Sequence, residues 1–448
     1  MAALSSYMAG VGGSPLPEAV AEQAKLHILD TVGAMVSGSG LRPGKLAIAF
    51  ARAYGGEAVA TVVASNLACG PIEAALANAM LAHSDETDDS NAPSQSHPGA
   101  SVIPATLAAG ERFGIDGARF LRAVTLGYDI GPRVTMTLGI HAFQDEGHKS
   151  THAVAGAFGS AAAAGCAAGL DGQQMRWLLD YTAQQSAGIA AWQRDSDHIE
   201  KAFVFAGMAA RNGVTGALLV QAGWTGVDDI LAGADNFLAA YGPGVDPAGL
   251  TDQLGSRFEI ARTNIKKWTV GSPIQAPLDA LETLIRQNHF HADDVREVVV
   301  RVATQEASVV DNRAIPDICL QHMVAVMLID GTASFAAAHD VPRMQDPAVL
   351  RQRAKVTLVP DADLQRRLPR REAVVDVVLE DGRRLSQHVS AVRGTAQNPM
   401  PREEVVAKAR DLMSPVLGEA KCAALTDRIL ALEQVRDVRE LRPLLQVR

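Results

Sequence analysis

The stretch Ala153–Leu170, AVAGAFGSAAAAGCAAGL, constrains the fold more than any other part of the chain. It runs without a charge and holds a single aromatic ring. Its alanines favour helix. Its length approaches that of a bilayer span, but side chains this small offer little area to anchor it in lipid. A helix so smooth is buried by bringing neighbouring backbones close. It is therefore expected at the centre of a helix-on-helix layer, not in a membrane.

The flanking sequence reads the same way up to residue 265. Apolar residues at helical spacing predict helices over 19–36, 71–83, 100–113, 118–138, 173–190 and 202–222, with no strand-like alternation between them. An all-α layer of about eight helices follows. Beyond Lys266 the pattern changes. Residues 295–302 (VREVVVRV), 354–359, 373–379 and 384–392 are rich in β-branched residues, and Asp381-Gly382 between the last two suits a hairpin turn. Helices are expected over 277–287 and 320–335, and again over 401–432. The fold class is thus mostly α: an all-helical domain made of residues 1–265 and 401–448, with a smaller inserted α+β domain over 266–400.

Charge and cysteine narrow the function. With 41 Lys+Arg against 50 Asp+Glu among 448 residues the formal charge is −9, and no run of basic residues appears, which argues against nucleic acid or an anionic membrane as partner. The four cysteines, Cys69, Cys166, Cys319 and Cys422, have no C-x-x-C spacing, as expected of buried free thiols in a reducing compartment. The first twenty residues, MAALSSYMAGVGGSPLPEAV, lack the basic start and apolar core of a secretory signal, so a cytoplasmic location is expected. Phosphate-binding glycine loops and a G-x-S-x-G elbow are also missing, which leaves proton-transfer chemistry as the best fit.

The densest polar constellation is His83–Ala100, HSDETDDSNAPSQSHPGA. Its acids Asp85, Glu86, Asp88 and Asp89, with His83 and His97 at its ends, allow three readings: a proton relay, a divalent-metal site, or a solvated turn with helix caps. A second cluster holds His148, Lys149, Ser150 and His152 just before the Ala-rich helix. It reads as a histidine pair at i, i+4, as a helix start that receives a substrate carboxylate, or as a plain capped start. Arg194, His198 and Lys201 form a third, and Lys266 and Lys267 a fourth; each set binds carboxylates or pairs on the surface. His322 sits alone in an apolar helix, as a core histidine or one reaching a cleft.

Taken in order, H-x-x-E-x-D-D, H-P-G, GAFG, AARNG, GWTG, the Lys266 segment, L-I-D-G and the closing Asp381–Pro399 segment resemble the MmgE/PrpD family over nearly the whole chain. That family includes 2-methylcitrate dehydratase, cis-aconitate decarboxylase and iminodisuccinate epimerase. The resemblance implies a helical domain with an α+β lid, usually a homodimer, acting on small polycarboxylates with neither cofactor nor metal. It points to His97, Glu86, Asp88, His152 and His322 as catalytic and to Lys201, Lys266, His148 and Ser150 as substrate-binding. His97 would remove the proton α to a carboxylate, oriented by Glu86 or Asp88, with His152 or His322 as the partner acid in a cleft between the domains. Glu86 stands where the family more often has Asp, and Ser150 and Gly271 also depart from relatives. A hydro-lyase is the leading expectation; an epimerase, a decarboxylase or a non-catalytic carboxylate-binding protein are the alternatives.

Overall fold

The computed structural model describes residues 1–447. The chain is mostly helical and divides into two compact units. One unit comprises Met1–Ser84, Asp88–Thr263 and the chain from Arg402 onward; the other comprises Asn264–Pro401 and the tripeptide Asp85–Thr87.

The Ala-rich segment forms the helix Thr151–Ala168, buried along its length except at His152 and Ala168. Gly131, in the helix Gly117–Leu138, shows how its neighbours approach: a Cβ there would lie 2.2 Å from the carbonyl of Ala155. Only the absence of a side chain permits that contact. Among the described residues one helical run, Ile199–Gln221, is long and apolar enough to cross a bilayer, but 67% of its apolar window is buried within the structure. All four cysteines are free and buried.

Several expected elements have different bounds. The helix expected over 173–190 spans Gly172–Gln184 and gives way at Gly188, whose φ is +110°, to a 3₁₀ turn at Ala190–Arg194. The helix expected over 202–222 begins at Ile199 and is interrupted by a π turn, Phe203–Gly207. Helices at Ala2–Val11 and Arg42–Tyr54 add to those expected. A two-residue ladder, Ala60–Thr61 with Ala68–Cys69, interrupts the otherwise helical unit. It corrects the expectation of no strand, being too short to leave a periodic signature.

In the second unit a four-stranded sheet runs in the order Val356–Asp361, Val295–Ala303, Ala373–Leu379, Arg384–Val389. The first pair is parallel, with Val300 opposite Leu358; the others are antiparallel, with Val299 opposite Asp376 and Val375 opposite Gln387. Val298, Val300, Val302, Val375 and Val377 are fully buried and share one core with Leu278 and Leu281 of the helix Ser272–Asn288 and with Leu320, Met323 and Met327 of the helix Leu320–Asp330. The tail expected as one helix is two, Arg402–Leu417 and Glu419–Leu430, broken at Gly418.

Candidate active site

In the helical unit the structure gathers four histidines. His83 ends the helix Pro71–Ala82, His97 opens Pro98–Phe113, His152 lies in the first turn of Thr151–Ala168, and His198 precedes Ile199–Ala202. Ring centroids lie 5.1 Å apart for His83 and His97, 5.2 Å for His97 and His152, and 5.2 Å for His83 and His198. His198 adopts a left-handed φ of +64°, uncommon for a residue with a Cβ.

Phe205 is the floor of the cluster. Its ring is stacked at 3.7 Å on His152 and at 4.7 Å on His83. Trp192 meets it edge-on at 4.6 Å, and the ammonium of Lys201 lies 5.3 Å from its centroid. Phe205 belongs to the π turn Phe203–Gly207, a widened turn of a kind frequent at functional sites. Neither Phe205 nor Trp192 stands out in the sequence, because a π turn and a short 3₁₀ turn leave no periodic trace.

Asp88, fully buried, organises the imidazoles. Its Oδ2 lies 3.0 Å from Nδ1 of His83 and 3.0 Å from Nδ1 of His97. An ionised carboxylate only accepts, so both Nδ1 atoms donate to it and the Nε2 edges of the rings are turned away from it. Exposure separates the two: the His83 side chain is sealed at 0%, whereas that of His97 is 11% exposed. Of these two rings, that of His97 is the one open to solvent. The same three residues are also donors of the kind that holds a divalent cation, with ligand atoms within 4.8 Å of one another.

His152 is held neutral. Burial of its ring pushes the imidazole well below its ordinary value, and the ammonium of Lys201 adds to that while Asp88 opposes it. Near neutral pH it is not an imidazolium in the free protein, so it carries no proton to give before a substrate is bound.

Glu86 and Lys266 belong to the second unit and engage each other: the lysine ammonium donates to the Glu86 carbonyl at 2.9 Å and lies 3.8 Å from its carboxylate. Asp88 bonds His97 directly, while residues 85–87 group with the second unit. His322, also in the second unit, is fully buried with neither ring nitrogen hydrogen-bonded; burial, then Arg353 and Arg343, lower its imidazole to about 4. It too is neutral near pH 7 and not a standing acid. Ser150 caps the helix Thr151–Ala168, its hydroxyl accepting from Ala153 N–H at 3.3 Å, which is a structural task. His148 is exposed, with φ +53° and no ring contact to the four-histidine cluster.

His339 carries no motif and was missed. Its Nδ1 lies 2.8 Å from the Phe335 carbonyl and its Nε2 3.1 Å from the Asp85 carboxylate. Both nitrogens face acceptors, so the ring is an imidazolium. Burial opposes the charge but Asp85 outweighs it, with help from Asp317 and the Phe335 carbonyl, raising the group to about 9.

Two family profiles cover almost all of this chain: the MmgE/PrpD N-terminal domain matches residues 2–249 and the MmgE/PrpD C-terminal domain residues 268–434. The chain belongs to the MmgE/PrpD family. Among its relatives, the cis-aconitate decarboxylase of Aspergillus terreus (strain NIH 2624 / FGSC A1156) is 25% identical over 99% of this chain and 95% of that protein. The human cis-aconitate decarboxylase is 25% identical over 96% of this chain and 91% of its own length. The cis-aconitate decarboxylase-like protein oryM of Aspergillus oryzae (strain ATCC 42149 / RIB 40) is 24% identical over 99% and 96%. Within this family the four-histidine cluster around Phe205 is the chain's candidate for chemistry on a carboxylate.

Proposed function

We propose that this protein is a cofactor-independent lyase that acts on a small di- or tricarboxylate by moving a proton at the carbon α to a carboxylate. The observation that carries the reading is the shared carboxylate of Asp88, which binds His97 through Nδ1 and leaves its partly exposed imidazole beside a neutral His152. His97 Nε2 takes the α-proton, and Asp88 stabilises the imidazolium that results, as a buried carboxylate does for a histidine base. Lys201 and the surrounding imidazoles receive the substrate carboxylates.

His152 acquires its role from the substrate. Burial and the Lys201 ammonium depress it in the free protein, and a polycarboxylate that brings negative charge beside it works against both, which favours the protonated ring. It then serves as the acid. In a hydro-lyase of the 2-methylcitrate dehydratase type it protonates the departing hydroxyl, which leaves as water while the electron pair of the broken C–H bond forms the alkene. In the second reading, favoured by the decarboxylase relatives, a C–C bond breaks instead, CO₂ leaves, and the acid delivers a proton to the carbon that keeps the electrons. Epimerisation would use the same pair with no loss of mass. A cytoplasmic homodimer completes the proposal.

The test is proton NMR in D₂O with citrate, 2-methylcitrate, cis-aconitate, malate, tartrate and aspartate-type acids, for wild type and His97→Ala. A new alkene from a hydroxy acid supports dehydration, loss of CO₂ supports decarboxylation, and deuterium uptake alone supports epimerisation. Silence of the wild type toward every acid, with ligand binding intact, overturns the lyase reading in favour of a carboxylate-binding protein.

A further inference from the structure

Asp89, next to the carboxylate that orients the histidines, bonds a different set of partners. Its Oδ1 accepts from the backbone N–H of Gly99 at 2.9 Å, while its Oδ2 lies 2.5 Å from the Tyr128 hydroxyl and 2.8 Å from Nδ1 of His27. Asp89, His27 and Tyr128 are all fully buried. An acid enclosed so completely, with three donors, has a defined task.

The local helix geometry identifies it. His97 is the N-cap of the helix Pro98–Phe113, so Gly99 occupies its second position. An N-cap side chain ordinarily turns back to accept from the N–H of the second or third residue. The His97 side chain makes no such bond; its ring is turned to Asp88. The N–H left over is taken by Asp89, whose negative charge also suits a helix N-terminus. Gly99 itself is explained by the same contact. A Cβ there would lie 2.6 Å from both the Thr31 and Tyr128 hydroxyls and 2.9 Å from Cγ of Asp89.

We propose that Asp89 is a positioning residue that caps this helix in place of His97, so that the histidine at the N-cap keeps its imidazole for Asp88 and for the reaction. Tyr128 and His27 hold the Asp89 carboxylate, and Gly99 admits it. Consecutive acids thus divide the work: Asp88 fixes the His97 ring and Asp89 fixes its backbone. The inference deepens the proposed lyase reading and rests on His97 being the base.

Two readouts separate it from that reading. The first needs no substrate: in the full chain labelled with ¹³C-histidine, the His97 ring Cε1–H signal is identified by its disappearance in His97→Gln. The second is kcat and KM on whichever acid the wild type turns over, cis-aconitate being tried first. Asp89→Ala is expected to move the His97 signal and to lower kcat on the order of tenfold to a hundredfold, the scale of an ångström-sized misplacement, with KM within about threefold. Asp89→Asn keeps an acceptor for Gly99 N–H but turns an NH₂ group toward the Tyr128 and His27 donors, and is expected to fall between wild type and Asp89→Ala in both. Gly99→Ala should reproduce Asp89→Ala by displacing the carboxylate, and serves if Asp89→Ala fails to fold. Leu412, buried in the helix Arg402–Leu417 of the same unit, supplies the control: Leu412→Ala tests lost stability alone and should leave the His97 signal in place. The inference is overturned if Asp89→Ala and Gly99→Ala leave the His97 signal unmoved, or if Asp89→Asn is as impaired as Asp89→Ala. Inactivity of the wild type toward every acid would refute the lyase reading while the NMR test still stands.

Discussion

Replacing His339 by glutamine should weaken the second unit in a way that depends on pH. Both ring nitrogens of His339 face acceptors, and the group is raised from 6.5 to about 9. At 1.36 kcal/mol per unit this preference for the charged ring is worth about 3 kcal/mol. The side chain is 19% exposed, so solvent screens only part of it. A group whose folded value lies above its unfolded one contributes fully below the unfolded value and loses that contribution as pH rises through the folded one. The stabilisation is therefore complete below pH 6.5 and fades between pH 6.5 and 9. Glutamine keeps a neutral donor for Asp85 but no charge. Urea unfolding of wild type and His339→Gln at pH 6.5, 8 and 10 measures the difference directly. The gap is expected to be of order 2–3 kcal/mol at pH 6.5 and to shrink toward zero at pH 10. A gap of equal size at pH 6.5 and 10 would refute an imidazolium at this position.

Other consequences can be checked in the same preparations. His322→Phe fills a buried site where neither imidazole nitrogen is bonded; because the native ring is lowered to about 4, wild type loses stability as pH falls from 6.5 toward 4, and the variant should be the more stable by about 2 kcal/mol at pH 5 in thermal or urea unfolding. Asp88→Asn leaves His97 without its anionic partner and should lower kcat about 10²–10⁴-fold in the D₂O assay, with substrate affinity by calorimetry little changed. Phe205→Ala removes the ring stacked between His83 and His152 and should cost about 3–5 kcal/mol in unfolding free energy. Exhaustive dialysis against a chelator should leave activity intact; loss of activity restored by a divalent cation would assign His83, Asp88 and His97 to metal binding instead.

Much of this protein follows from residue order alone. The smooth Ala153–Leu170 run forces close backbone approach wherever it folds, and the β-branched runs after Lys266 carry period two, so the helical and α+β character of the two parts is local information. The H-P-G and acidic-loop motifs mark His97 and Asp88 for the same reason: side chains able to move protons are rare enough in such a pattern to stand out. What the tertiary structure decided is who faces whom. Glu86 and Asp88 are two residues apart, yet the chain sends one to Lys266 and the other to His97, and spacing cannot reveal that split. Phe205 and Trp192 look like ordinary core aromatics until a π turn and a 3₁₀ turn bring them against histidines far away in sequence. His339 and Asp85 meet across more than 250 residues without a motif at either end. Whether His152 and His322 are acids or neutral rings depends on the protein and charges around them, which exist only once the chain is folded. Periodicity and residue chemistry are properties of neighbours along the chain, whereas partner choice and protonation are properties of neighbours in space.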